Sequence, residues 1–176
     1  MASVRIALSN PKSPENVASV LRAAGNYGAE AIYYSGSRYP RALALGPDVP
    51  QLSRAVGRDI PIEYAECLVS AAAEGASIVC VEFALNAQPL PSFVHPENAH
   101  YIFGPEDGSI PQAIIDQADA VVYVPTTGCM NLAATVNVLL YDRLAKTSAM
   151  QSLNSDSNNQ MIRNSRDQNN NLKVRK

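Results

Sequence analysis

The chain has 176 residues, 47% of them hydrophobic and 17% charged, with a net charge of −2. That is enough for one globular domain with a real core and hardly enough for two. No apolar run approaches the ~20 residues that a membrane span requires. The opening MASVRIALSNP lacks the apolar core of a secretory signal, so a cytoplasmic protein is expected. Three widely spaced cysteines (Cys67, Cys80, Cys129), with only His95 and His100 to join them, support neither a disulfide framework nor a metal site. Charge is unevenly spread: residues 146–176 carry six basic side chains against two acidic ones, a surplus of +4 that leaves −6 for the rest. An acidic body with a basic tail hints at contact with a polyanion, although many solvated tails are basic.

In chain order, Val4–Leu8 reads as a buried first strand. Ser13, Pro14 and Glu15 supply a cap, a first helical proline and an acid at the positive end of the dipole, so a helix is expected over residues 14–27. Its apolar stripe is Val17, Val20, Leu21 and Ala24, and Gly28 is its stop. Ala31–Tyr34 is a second strand. Residues 35–60, punctuated by glycine and proline, have room only for short helices. Arg38, Arg41, Arg54 and Arg58 make this stretch basic, which suits either a solvated connector or a loop over a phosphate backbone.

Ile62–Tyr64 is a short strand, with a helix expected over residues 66–74. Residues 77–83 hold the clearest central strand, because Ile78, Val79, Cys80 and Val81 run without alternation, as in a sheet covered on both faces. A proline-rich loop leads to a strand at 100–103, the loop GPEDGSIP, and a helix at 112–118. Residues 121–124 form a last strand, Pro125 to Gly128 a breaker cluster, and residues 131–144 a mostly apolar helix. Strands alternating with helices predict an α/β fold with a mostly parallel sheet and helices on both faces. Residues 147–176 are rich in Asn, Gln, Ser and charge, too polar to offset their ordering entropy, and are expected to be a mobile basic tail.

The common cofactor and hydrolase signatures are absent: there is no GxGxxG after a first strand, no P-loop, and no Ser-His-Asp or Cys-His set with believable spacing. What remains is three loops at the carboxyl ends of strands, 9–16, 104–110 and 125–130. Parallel strands deliver such loops to one edge of the sheet, where ligands bind in α/β proteins. Asn131 is either an ordinary helix cap or part of that site.

Three segments, NVASVLR (Asn16 to Arg22), FGPEDGS (Phe103 to Ser109) and VPTTGCMNL (Val124 to Leu132), resemble the three motifs of the SpoU/TrmH branch of the SPOUT methyltransferases. Order, spacing and placement after strands all match, over roughly residues 4 to 145. The resemblance implies an RNA ribose 2′-O-methyltransferase that uses S-adenosylmethionine and works as a homodimer. Its fold would be a SPOUT domain over residues 1–146 with a C-terminal trefoil knot, which base rates alone argue against. Among relatives the chain looks most like the short TrmL-like type that acts on tRNA, with no room for the extra N-terminal domain of many ribosomal-RNA members.

The same resemblance implies residue roles. Arg22 matches the catalytic arginine; a guanidinium does not deprotonate at neutral pH, but it can grip a phosphate and favour a developing alkoxide. Asn16 matches the first-motif asparagine. Six residues turn an ideal helix through about 600°, which leaves Asn16 and Arg22 about 120° apart, so Asn16 acts from the loop or first turn. Glu106 matches the second-motif glutamate, to bind Arg22 or a substrate group, or simply to cap a helix. Asn131 matches the third-motif asparagine. The donor would be held at Val81, Gly104, Val124, Cys129 and Met130. Cys129 stands where the family commonly has serine, and a thiol is a weak hydrogen-bonding group.

Overall fold

The computed structural model describes residues 3–46, 59–166 and 169–175. Its elements are β1 (Val4–Leu8), α1 (Pro14–Tyr27), β2 (Ala31–Tyr34), α2 (Arg38–Leu45), β3 (Ile62–Tyr64), β4 (Ser77–Val81), β5 (Gln88–Pro89), β6 (Ala99–Phe103), α3 (Gln112–Ile115), β7 (Ala120–Tyr123), α4 (Leu132–Ala145), α5 (Ser148–Gln151) and α6 (Ser155–Ser165). The strands form one seven-stranded sheet in the order β3-β2-β1-β6-β4-β7-β5. Every pairing is parallel. The α/β class and parallel sheet expected from the sequence are therefore those observed.

Alternate residues of the central strands enter two separate cores, as a doubly covered sheet requires. Ile6, Leu8, Val79, Val81, Tyr101, Phe103 and Val122 pack with Val17, Val20 and Ala24 of α1 and with Leu132, Val136 and Leu139 of α4. Ala7, Cys80 and Ile102 point the other way, toward Leu68, Ile110 and the partly buried Ile114 and Ile115 of α3. Helices thus cover both faces. Helix α4 is further tied down by its last turn. His95 bonds Tyr101 Oη at 2.7 Å and Asp142 at 2.9 Å, and Arg143 donates to the carbonyls of Pro96 and Glu97 and to Tyr101 Oη.

Helix α1 ends as its sequence dictates. The Ser13 side chain accepts the Asn16 N–H, Pro14 opens the first turn, and Gly28 stops the helix at φ 69°. Several expectations need correction. Residues 66–74 form tight turns, with Ala72 N–H donating to Val69 O and Ala76 N–H to Ala73 O, each three residues back. The Leu68 carbonyl is met by the ring of buried His100 at 2.9 Å, a contact from a distant strand within this stretch. Helix α3 is a single turn, shorter than expected. β5 was not anticipated; it is two residues long, holds Pro89, and lies at the sheet edge where proline is tolerated.

Two compact units are distinguished, Met1–Arg143 and Leu144–Lys176. The second is not featureless. Its helix α6 begins with a reciprocal capping box between Asn154 and Ser157, and every residue from Ser155 to Ser165 is exposed. Arg54 and Arg58 lie outside the described residues. Among those described, no helix is long and apolar enough to cross a membrane, and no group of three or more His, Cys, Asp or Glu could hold a metal ion.

Candidate active site

The parallel order brings the carboxyl ends of β1, β6, β4 and β7 side by side. The loops that follow them are those singled out in the sequence, together with the one after β4. A chain of side-chain hydrogen bonds crosses three of these loops. Asn131 Nδ2 donates to Asn16 Oδ1 at 2.8 Å, and Asn16 Nδ2 donates to Glu106 Oε1 at 3.0 Å. At its start, Asn131 Oδ1 accepts the Ala134 N–H at 3.2 Å. Asn131 is therefore both the cap of α4 and a member of the cluster. Each amide has its oxygen toward a donor and its nitrogen toward an acceptor, so flipping either would break the chain.

Glu106 sits at the head of α1. Its carboxylate accepts the backbone N–H groups of Lys12 at 2.8 Å and Ser13 at 3.0 Å besides the Asn16 amide. Of the roles open in the sequence, cap-like bonding is the one its contacts display. Partial burial is the largest single influence on its pKa and pushes it up, but the Asn16 amide and the backbone N–H groups together outweigh it and hold it below the usual carboxylate value. The group stays ionised at neutral pH, and its bonds make it an anchor for the head of α1.

Arg22 does not join this cluster. It is exposed on α1, beyond the buried face of Val17, Val20, Ala23 and Ala24, and makes no hydrogen bond or ion pair with another described residue. Its guanidinium is free to meet another molecule.

Beside the cluster lies a cleft bounded by the loops after β4, β6 and β7. Its empty space, open solvent at the mouth included, is about 670 Å³. Val81, Gly104, Val124, Cys129 and Met130, the five expected donor contacts, all line it. Leu132, Phe83, Phe103 and Tyr123 make the lining largely apolar. Among the described residues its charged members are Glu82 and Glu106, with no lysine or arginine. An apolar slot with negative charge fits an aromatic base carrying a net positive group.

Glu82 was missed in the sequence, though a lone acid ending an apolar central strand was a signal. Its carboxylate accepts the Ile110 N–H and the Phe83 N–H, each at 2.9 Å, and so ties β4 to the loop after β6. Gly104 is required beside it. A Cβ there would lie 3.0 Å from Glu82 Oε2 and 3.3 Å from the Ile110 nitrogen, both tighter than ordinary contact. In the loop after β7, Thr126 Oγ1 donates to the Gly128 carbonyl at 2.7 Å and fixes the turn that presents Cys129, which is exposed at the cleft.

The sequence of residues 3–141 matches the SpoU rRNA methylase family. The chain belongs to that family. Many solved structures share its fold, three of them as follows. The A. aeolicus TrmH/SpoU tRNA modifying enzyme superposes with a TM-score of 0.70 at 16% identity, covering 93% of this chain and 87% of that one. A structure concerned with 2-OH methylation of C/U34 on tRNA gives 0.65 at 19% identity, with 83% and 91% covered. The SpoU methyltransferase AviRb from Streptomyces viridochromogenes, in complex with AdoMet, gives 0.64 at 17% identity, with 82% and 58% covered. No protein of curated function matches the sequence. As a SpoU methylase the chain is an RNA methyltransferase with S-adenosylmethionine as donor, and the apolar, acidic cleft fits that cationic molecule.

Proposed function

We propose that the protein transfers a methyl group from S-adenosylmethionine to a ribose 2′-oxygen of RNA, with tRNA as the favoured substrate. The carrying observation is that Asn16, Glu106 and Asn131, from three separated motifs, form one hydrogen-bonded chain beside the cleft. When bound, the donor supplies a methyl group on a positively charged sulfur. Val81, Gly104, Val124, Cys129 and Met130 would hold it, and the second N–H and second lone pair that each amide of Asn16 and Asn131 keeps would orient the incoming nucleotide. Arg22 would grip a phosphate and favour the developing alkoxide, since it stays protonated. Because Arg22 stands apart from the cluster, the reading includes a homodimer, in which a second subunit completes the site, and a trefoil knot around the last motif. A cytoplasmic location goes with it.

What supports tRNA is the extent of the match: this chain spans 87% and 91% of the two structures connected with tRNA, and 58% of AviRb. The family description favours ribosomal RNA as the second reading. Incubation of the purified protein with labelled donor and either unfractionated tRNA or ribosomal RNA separates them. Transfer to tRNA is expected, reduced about 10²–10³-fold in Arg22→Ala, the usual scale for losing a group that stabilises developing charge. Donor binding in the variant should persist. Donor binding by the wild type without transfer to any RNA would leave a non-catalytic RNA-binding module and sink the proposal.

A further inference from the structure

We infer that Lys12 and Arg38 form a docking point for a backbone phosphate of the RNA, occupied in the free protein by the carboxylate of Asp107. The inference rests on the proposed RNA methyltransferase activity and adds residues that would grip the substrate next to Glu106. Arg38 meets Asp107 through both arms of its fork, Nη1 to Oδ1 at 2.7 Å and Nη2 to Oδ2 at 2.9 Å. Lys12 Nζ stands 3.5 Å from the same Oδ2. This bidentate geometry suits a carboxylate and a phosphate equally, because each offers two oxygens in one plane.

Two cations therefore converge on one acid. Glu106 is the next negative charge, but its oxygens are taken by the N–H groups of Lys12 and Ser13 and by the Asn16 amide. Among the described residues, Asp107 is the acid that pairs directly with both basic groups, with Glu106 adding a weaker attraction on Arg38. The cluster is open to solvent: the side chains of Lys12, Asp107 and Arg38 are 64%, 50% and 29% exposed. An ion pair in such a setting contributes little net stability, so an incoming phosphate can take the place of the carboxylate at small cost.

The backbone beneath is held firmly, as a docking point needs. The Arg38 N–H faces Asn10 Oδ1 at 3.4 Å, and Asn10 itself adopts φ 44°. Gly36 has φ 77°, and any side chain there would overlap the Asn10 side chain. The turn leading into α2 is thus fitted closely against the loop after β1, and the guanidinium projects from it beside the residue that follows Glu106. Arg38 also opens the basic stretch whose role the sequence left undecided.

Asp107→Asn and Arg38→Ala distinguish an exchangeable phosphate site from a structural brace, because the two ideas predict opposite signs for one of them. Binding of unfractionated tRNA is measured across a salt series, with thermal melting to verify folding. Releasing the cations in Asp107→Asn should tighten binding about 3- to 10-fold, and Asp107→Ala should do the same. Arg38→Ala should weaken it about 10-fold and reduce the slope of log affinity against log salt by about one, the signature of one lost phosphate contact. Arg38→Lys, which keeps the charge without the fork, should fall between. If Asp107→Asn weakens binding as Arg38→Ala does, or changes nothing, the phosphate assignment is overturned. Should the wild type still methylate RNA in that case, the enzymatic reading stands. Wild-type protein that neither binds nor methylates RNA overturns both.

Discussion

Asn16 joins the three motifs through a single amide, giving one hydrogen bond and accepting another. Removing it leaves the Asn131 amide without its acceptor and Glu106 without its one side-chain donor among the described residues. Asn16→Ala should therefore lower stability by about 1–2 kcal/mol, the scale of partly buried hydrogen bonds left unmade. Methyl transfer should fall by about tenfold or more through misplacement of the remaining groups. Thermal melting and single-turnover kinetics measure the two effects, and a variant with wild-type turnover would show that the amide chain has no part in catalysis.

His100 offers a separate test, away from the cleft. Burial pushes its pKa down to about 4 from an ordinary 6.5; the bond to the Leu68 carbonyl opposes the shift and nearby Arg5 reinforces it. The folded state binds a proton less readily than the unfolded chain. Stability should thus begin to fall as pH drops below 6.5 and level off once pH passes about 4. The full difference is on the order of 3 kcal/mol, at ~1.4 kcal/mol per pKa unit. Glu106, whose pKa is lowered, adds a further loss of stability only below its ordinary value of 4.5. Denaturant melts of the wild type and of His100→Gln at pH 7, 6 and 5 isolate the share of His100, and the same slope in both would contradict its assignment as a buried neutral ring.

At the scale of elements, legibility followed local chemistry. Helix α1 could be read because cap, proline, apolar stripe and terminal glycine all sit within its own sequence. The unalternating run of β4 announced a strand covered on both faces. The failed helix at 66–74 had good local propensity in Ala71, Ala72 and Ala73, yet the stretch folds as turns with Leu68 packed in the core and its carbonyl against distant His100. Such tertiary competition leaves no trace in the segment itself. The cleft was legible at its five apolar and small positions, whereas Glu82 and the Arg38–Asp107 pair are partnerships between residues far apart in sequence. Helix α6 carried a local signal in Asn154 and Ser157, masked by the polarity of everything around it.

That tail helix bears exposed Arg163 and precedes Lys173 and Arg175, with little buried surface of its own. Truncation after Ala149 should weaken RNA binding and flatten its salt dependence, because lysines and arginines act by releasing counterions. Fluorescence anisotropy with tRNA over a salt series is the appropriate measurement. Unchanged affinity and slope would make the tail a solvated extension with no part in RNA binding.

For the whole molecule, seven parallel strands set the loops of three motifs on one edge, and two cores hold that edge in place from either face. In the proposed reading, the cleft with its two carboxylates would accept the donor while the amide chain and its neighbours would face the RNA. Nothing in this layout requires a metal or a covalent intermediate, since alignment of a strong electrophile with a ribose oxygen can supply much of the rate. The most direct measurement is therefore the chemical position of the transferred methyl group. Unmodified tRNA is treated with the protein and S-adenosylmethionine, digested to nucleosides and analysed by mass spectrometry with nuclease P1 and alkaline hydrolysis in parallel. The expected product is a 2′-O-methylated nucleoside whose 3′ linkage resists alkali. A methylated base with an alkali-sensitive linkage would contradict the assignment of this site to ribose chemistry.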